Sequence, residues 1–240
     1  MNKIAITSDV DWAPEPVLEY MISLFEARGI KCTFFCTHYS EVLLNADRNL
    51  FELAIHPNFN PLLDGKAGNS DEVLDKILAI YPESRGVRSH SMLQSTGLIN
   101  LFSRKGLIYE SNHFLPYHKN ISPFLLWNGM VRLPYIWEDD IHWLYGNSFA
   151  DLKINLNEPG MKIFDFHPIH IYLNTTNEEH YLNAKPFYQQ PLELQRFRNS
   201  GKDIKGAKDA LEKLFQTIEG KGLHTFLLKE IAAEVQKTTI

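Results

Sequence analysis

Cysteine is scarce: Cys32 and Cys36 are the only two in 240 residues, and both lie in the apolar run KCTFFCT. That excludes a disulfide framework and predicts reduced thiols in the core. A Cys-x3-Cys pair alone is also a poor metal site. Positive charge is in short supply too. Lys and Arg total 24 against 29 Asp and Glu, for a formal net charge of -5. With no basic stripe, a nucleic-acid partner is not expected, because such binding needs clustered cations. Long hydrophobic runs are missing as well. The stretch Ile121 to Met130 is too short and too interrupted to span a bilayer, which takes about 20 apolar residues. The start MNKIAITSDVDW has one Lys and then a buried-strand pattern rather than a cleavable signal peptide, so the expected location is the cytoplasm. No internal repeat or low-complexity linker marks a boundary, and one domain over residues 1–240 is the economical reading.

What the chain does have is apolar periodicity. Short apolar runs alternate with amphipathic stretches about every 25 to 30 residues, the pattern of βα units around a parallel sheet closed or half closed into a barrel. Strands are predicted at Ile4 to Ser8, Cys32 to Thr37, Leu50 to His56, Gly86 to Ser89, Leu107 to Glu110, Val131 to Tyr135, Met161 to Phe166 and His224 to Phe226. Helices are predicted at Val17 to Arg28, Asp71 to Tyr81, Thr96 to Lys105, Ala207 to Glu219 and Leu228 to Gln236, with Asn69 and Ser70 as caps and Gly29 and Gly106 as stops. Residues 175–206 are polar, without a strong period, and read as a long insertion poised as a lid over the site.

In a parallel α/β barrel the ligand site lies at the carboxyl ends of the strands. Collecting residues there gives Asp9 and Asp11, then His56, Asn58 and Asn60, then Arg88 and His90, then Glu138, Asp139 and Asp140, and finally His167 and His170. Asp and His converging at one end suggest a divalent metal, with ligand distances of about 2.0–2.2 Å for zinc. Each residue also has a plainer role. Asp9 or Asp11 could cap a helix, His56 could sit in a turn before Pro57, and Arg88 could be an ordinary ion-pair partner. Asp9 and Asp11, two apart on an extended chain, would face the same side.

The order of these residues resembles the polysaccharide deacetylase superfamily, the NodB-like metal-dependent deacetylases. TSDVDWAP resembles the first motif, CTFFCT the following strand, ELAIHPNFN the His-x3-His metal pair, GVRSH the strand-end Arg and FDFHPIH the late catalytic His. The match runs roughly from Asn2 to Asn174. It implies a distorted (β/α) barrel of about seven parallel strands. It also implies Asp9 as base, Arg88 steadying it and His167 as acid, with Asp165 or Glu138 holding its tautomer. Asp11 and His56 would be ligands, the reverse order of the two acids being the alternative. Two departures stand out. A valine separates the two acids, and Asn60 occupies the second histidine's place, so the third ligand is His90 or Asn60, with His90 preferred. The implied activity is hydrolysis of an acetyl or related acyl group from an N-acylated sugar, small or lipid-linked, in surface polysaccharide assembly. The implied cofactor is Zn2+, with Co2+ or Ni2+ as substitutes. Asn58, Asn60, Trp12, Trp137 and Glu138 would line the substrate, with Phe59 and Tyr135 as further aromatics nearby. The alternatives are another C–N hydrolase on the same scaffold and a non-catalytic glycan-binding descendant.

Overall fold

The computed structural model describes residues 2–201 and 203–238. Its strands are β1 (Asn2–Asp9), β2 (Cys32–Cys36), β3 (Phe51–Ile55), β4 (Gly86–Val87), β5 (Tyr109–Glu110), β6 (Phe124–Leu125), β7 (Val131–Arg132), β8 (Trp137–Glu138) and β9 (Gly160–Asp165). They form one sheet in the order β6-β7-β5-β4-β3-β2-β1-β9-β8. The pairs are parallel except β6 with β7, which is antiparallel. A single stretch curls this sheet into a distorted barrel. The Leu133 and Tyr135 amides bond to Glu110 and His113 on the β5 side (2.9 and 3.0 Å), and the Ile136 amide then bonds to Ile163 on the β9 side (3.0 Å). With β7 and β8 read as one interrupted strand, seven parallel positions circle the barrel, as the family resemblance implies.

Alternation along each strand separates two packing layers. Ile4, Ile6, Cys32, Phe34, Cys36, Phe51 and Ile55 point outward into the helix layer. There the helix Glu15–Glu26 lays Val17, Leu18, Met21, Ile22 and Phe25 against them, each such side chain contributing roughly 1.5–3 kcal/mol. Both thiols are therefore core groups, free and buried, and burial holds their pKa values above the ordinary cysteine range. Ala5, Phe35, Ala54, Tyr109 and Ile163 point inward, and the helix Leu228–Thr238 closes the amino-terminal mouth with Leu228, Ile231 and Ala232. Glu52, buried at that mouth, accepts from the Lys229 amide (2.9 Å), Thr33 (2.9 Å) and Tyr109 (2.8 Å). Gly86 is where Tyr109 crosses the strand, since a Cβ there would lie 1.8 Å from the tyrosine ring.

Three sequence readings change. The helix expected from Val17 starts at Glu15, because Pro16 fits a first turn whose amides need no helical partner. The strand expected at His224 to Phe226 is one bridge, Thr225 to Ile4, made where β1 runs past the start of β2. Residues 178–197 hold short elements where none is expected, helices Glu178–Ala184 and Pro191–Leu194 and 3-10 turns Lys185–Phe187 and Gln195–Phe197. Elements this short complete too few turns to show a period. Among the described residues, no helix is long and apolar enough to cross a membrane.

Candidate active site

The inward phase of the strands sets the site. Asp9 closes β1, His56 follows β3, Arg88 follows β4, and Asp165 and His167 take alternate positions at the end of β9, so all five reach the carboxyl-end mouth. Asp11 arrives differently from the expectation of an extended pair. β1 ends at Asp9, and Asp11 and Trp12 both adopt left-handed backbone (φ 44° and 56°), swinging the second carboxylate back over the mouth. His90 is carried by a similar turn, with Ser91 at φ 56° and Met92 at φ 54°. Such residues cost on the order of 1–3 kcal/mol each and persist only where surrounding contacts over-determine them.

Asp11, His56 and His90 converge. Asp11 Oδ1 lies 3.3 Å from His56 Nε2 and 3.1 Å from His90 Nδ1, and the two ring nitrogens are 3.4 Å apart. All three ligand atoms lie within 4.8 Å of one another. The His56 Nδ1–H donates to the Arg88 carbonyl (2.7 Å), which fixes the tautomer and leaves Nε2 facing Asp11. One carboxylate oxygen and two imidazole nitrogens form a donor set suited to zinc and its neighbours. Burial alone would raise the Asp11 pKa and lower that of His56. For Asp11 the hydrogen bonds to His56 and then His90 win and hold the carboxyl below its usual range, and for His56 the Asp9 charge and then the Asp11 hydrogen bond win and raise it. The Asn60 side-chain amide donates to Ser91 Oγ (3.0 Å), the residue after His90, while its backbone amide donates to Asn58 Oδ1 (3.0 Å).

Asp9 and Arg88 form the second group. The guanidinium is fully buried and each of its five N–H groups has an acceptor. Nη1 reaches Asp9 Oδ1 (2.8 Å) and Asp165 Oδ1, Nη2 reaches Thr7 Oγ1 (3.1 Å) and Ser111 Oγ (3.0 Å), and Nε reaches the Ser111 carbonyl (3.0 Å). The rings of Phe35 and Tyr135 sandwich it at 4.3 and 4.1 Å. Burial pushes the Asp9 pKa up while Arg88 opposes, and the net shift is upward. Asp9 Oδ2, not taken by Arg88, faces His56 Nε2 at 3.6 Å.

His167 is held by Asp139, not by Asp165 or Glu138 as expected. Asp139 Oδ1 accepts from the His167 ring at Nδ1 (2.7 Å) and Oδ2 accepts from its backbone amide (2.9 Å). Asp165 instead pairs through Oδ1 with Arg88 and Thr7. Burial would lower the His167 pKa, but the Asp139 charge lifts it well above the ordinary value. Asp139 itself is raised by burial, against the pull of His167, to about 6. His167 Nε2 faces Asp11 Oδ2 at 3.8 Å and Glu138 Oε1 at 4.0 Å. His170 is a core residue, edge-on to Trp143 and Tyr181, with burial and then His167 pushing its pKa well down.

The expected substrate-lining residues divide. Trp12 is exposed beside His90, with ring centroids 5.1 Å apart. Glu138 faces the mouth, accepting from the Tyr135 hydroxyl (3.2 Å), and burial followed by the Asp140 charge raises its pKa strongly. Trp137 does not line the mouth. It is the neighbour of Glu138 on β8, so the pleat sends it outward, where its indole is buried against Phe166 and His142. Phe59 and Tyr135 are buried as well. Asp139 was the residue the sequence hid. It stood within an acidic trio at a strand end, and no local signal said which of the three would turn toward His167.

The family described as WbmS-like, polysaccharide deacetylase, matches residues 6–185, a span that contains every group just described from Thr7 to His167. A Bordetella bronchiseptica protein described as a polysaccharide deacetylase involved in O-antigen biosynthesis has a crystal structure similar to this chain. The two share 38% identity over 90% of each chain, with a TM-score of 0.83. Two more distant structures share the fold. A family 4 carbohydrate esterase from Bacillus anthracis is 14% identical, with a TM-score of 0.53 over 97% of this chain and 83% of that one. The peptidoglycan deacetylase PdaC from Bacillus subtilis is 15% identical, with a TM-score of 0.52 over 99% and 93%. No curated protein matches the sequence. With the family model spanning most of the chain and the strand-end residues falling in the family's order, this protein belongs to the WbmS-like polysaccharide deacetylases.

Proposed function

We propose that the protein is a metal-dependent hydrolase that removes an acetyl or related acyl group from an N-acylated sugar, a precursor in surface polysaccharide biosynthesis. The single observation that carries this reading is the convergence of Asp11, His56 and His90 between an Asp9–Arg88 pair and an Asp139–His167 pair. A divalent ion held by Asp11, His56 and His90, Zn2+ before Co2+ or Ni2+, would supply a Lewis acid for the carbonyl and acidify a water. Asp9 accepts the proton of the attacking water through Oδ2, because Oδ1 is committed to Arg88. Burial makes Asp9 more basic than an ordinary carboxylate, which suits it to that task. Arg88 keeps Asp9 from turning away and places its other four donors elsewhere, so it stays fixed while Asp9 changes charge. His167 gives the Nε2 proton to the departing amine. Its Nδ1 bond to Asp139 both orients the ring and holds that proton until the amine develops basicity. Exposed Trp12 offers a face on which a sugar ring can stack, and Glu138, Asn58 and Asn60 offer polar groups for its hydroxyls.

The description of the Bordetella relative supports the polysaccharide context, and two unpaired buried thiols fit a reducing compartment, so we place the reaction in the cytoplasm within one domain. The test is to purify the chain, measure bound metal, and follow acetate release from nucleotide- and lipid-linked N-acetylhexosamines beside small linear and cyclic amides. About one ion per chain, sugar-selective acetate release, and loss of both in a folded His56→Ala variant are expected. A folded protein that cannot be loaded with zinc, cobalt or nickel would overturn the proposal.

A further inference from the structure

The turn that presents Asp11 is strained, and something must hold it. Its backbone groups are satisfied from two directions. The Trp12 amide donates to Thr37 Oγ1 (2.9 Å), from the end of β2. The other two bonds come from the distant segment after the helix Pro168–Leu173. The Tyr188 hydroxyl donates to the Asp11 carbonyl (2.7 Å), and the Gln189 side-chain amide donates to the Trp12 carbonyl (2.7 Å). Consecutive residues thus grip consecutive carbonyls, and those carbonyls belong to the two left-handed residues.

The gripping segment is itself braced. At its neck the Ala207 amide bonds to the Thr175 carbonyl (2.9 Å), and the Asn174 side chain joins the Lys208 amide and Asp209 (3.1 and 2.8 Å). Gly206 permits that approach, since a Cβ there would fall 2.4 Å from the Asn174 carbonyl oxygen. Farther along, the Arg198 Nε donates to the Tyr172 carbonyl (2.9 Å) while its guanidinium lies between the Tyr20 and Tyr172 rings at 4.6 and 4.5 Å. The rings of Phe187 and Phe197 stack at 5.3 Å. A segment anchored at its neck and again at Arg198 is a prop rather than a lid.

We infer that residues 175–206 act as a strap in which Tyr188 and Gln189 are positioning residues, holding the Asp11–Trp12 turn in its left-handed form so that the Asp11 carboxylate meets His56 and His90. The strap springs from the helix that begins at His167, so the same element that carries the proposed acid also sets the proposed metal ligand. Tyr188 and Gln189 lie just past the residues 6–185 that the family model matches. The inference rests on Asp11, His56 and His90 being metal ligands, as proposed above.

The test compares wild type with Tyr188→Phe, which removes only the hydroxyl, and with Gln189→Ala, at an exposed position where refolding is not at risk. Three quantities are read: Co2+ affinity by competition with a chelator, the Co2+ absorption spectrum, and amide hydrogen exchange of a peptide spanning residues 9–14 in metal-free protein. Each variant is expected to bind Co2+ about 10-fold more weakly, at the low end of losses seen when groups supporting a metal ligand are removed. Exchange in the 9–14 peptide should quicken while the melting temperature stays near that of wild type. Gln189→Glu, which cannot donate to the Trp12 carbonyl, should fail to rescue. Unchanged Co2+ affinity and exchange in both variants, with wild type binding the ion, would overturn the strap and leave the metal reading intact. A wild-type protein that takes up no ion overturns both.

Discussion

Replacing Arg88 by methionine removes a cation from a place closed to water while keeping most of the side-chain volume. Five acceptors then lose their donor: Asp9, Asp165, Thr7, and the hydroxyl and carbonyl of Ser111. Breaking a buried pair by deleting one partner costs about 3–5 kcal/mol, because the remaining charge stays desolvated. For a chain of this length each kcal/mol moves the melting temperature by about 2–4 °C, so a fall of about 6–20 °C is expected. The defect should also depend on pH. Asp9 already titrates above the ordinary carboxylate range because of burial, with Arg88 as the main opposing influence. Without Arg88 its pKa rises further. A carboxyl raised in the folded state adds stability below its unfolded pKa, and that stability is lost as pH rises through the folded value. The variant should therefore be closest to wild type in mild acid and fall away toward neutral pH. Urea unfolding across that interval measures it, with Arg88→Lys alongside. Lysine has three donors for five acceptors and should restore little. A loss under about 1 kcal/mol at neutral pH, or a defect that grows toward acid, would refute the argument that the guanidinium neutralises the mouth.

Three further outcomes are expected. Asp139→Asn should leave the fold intact and lower activity by about 10²- to 10⁴-fold. It should also move the alkaline limb of the pH–rate profile to lower pH, since the Asp139 charge is what lifts His167; an unmoved limb counts against His167 as the acid. Metal uptake should weaken as pH falls, by about tenfold per unit for each proton displaced, because Asp9 and Asp11 raise the His56 pKa and that proton must leave first. Calorimetry in buffers of different ionisation enthalpy should show the proton release, and uptake independent of pH would contradict it. Gly206→Ala should destabilise the protein by about 1–3 kcal/mol in urea unfolding, because its Cβ would press on the Asn174 backbone at the neck of the strap.

The strand ends were legible because they depend on local pattern. Short continuous apolar runs announce β1, β3 and β9, and the polar residues that end such runs are expected at the mouth, so Asp9, His56 and His167 could be collected without coordinates. The family resemblance then suggested their roles, and it named Arg88 for the same pairing with Asp9 that the structure contains. Trp137 was misplaced for the opposite reason. Beside Glu138 in sequence it looked adjacent to the site, but a two-residue strand gives no phase, and neighbouring positions on a pleat face opposite sides.

Other features had no local signature at all. Asp139 meets His167 across 28 residues, and Tyr188 meets Asp11 across 177. Which acid of Glu138, Asp139 and Asp140 meets His167 depends on where β8 gives way to the helix Asp139–Leu144, and Asp11 is placed by what packs against it. The sequence by itself determined the alternating βα order, the unpaired thiols and the identity of the polar groups at the strand ends, since these follow from composition and short-range period. Only the tertiary structure decided that Asp139 rather than Asp165 or Glu138 holds His167, that His90 meets Asp11 and His56, and that Tyr188 and Gln189 bond to the Asp11–Trp12 turn. Those choices are made by desolvation and hydrogen bonding between segments far apart in the chain, where each buried polar group must find whichever partner the packing brings within reach.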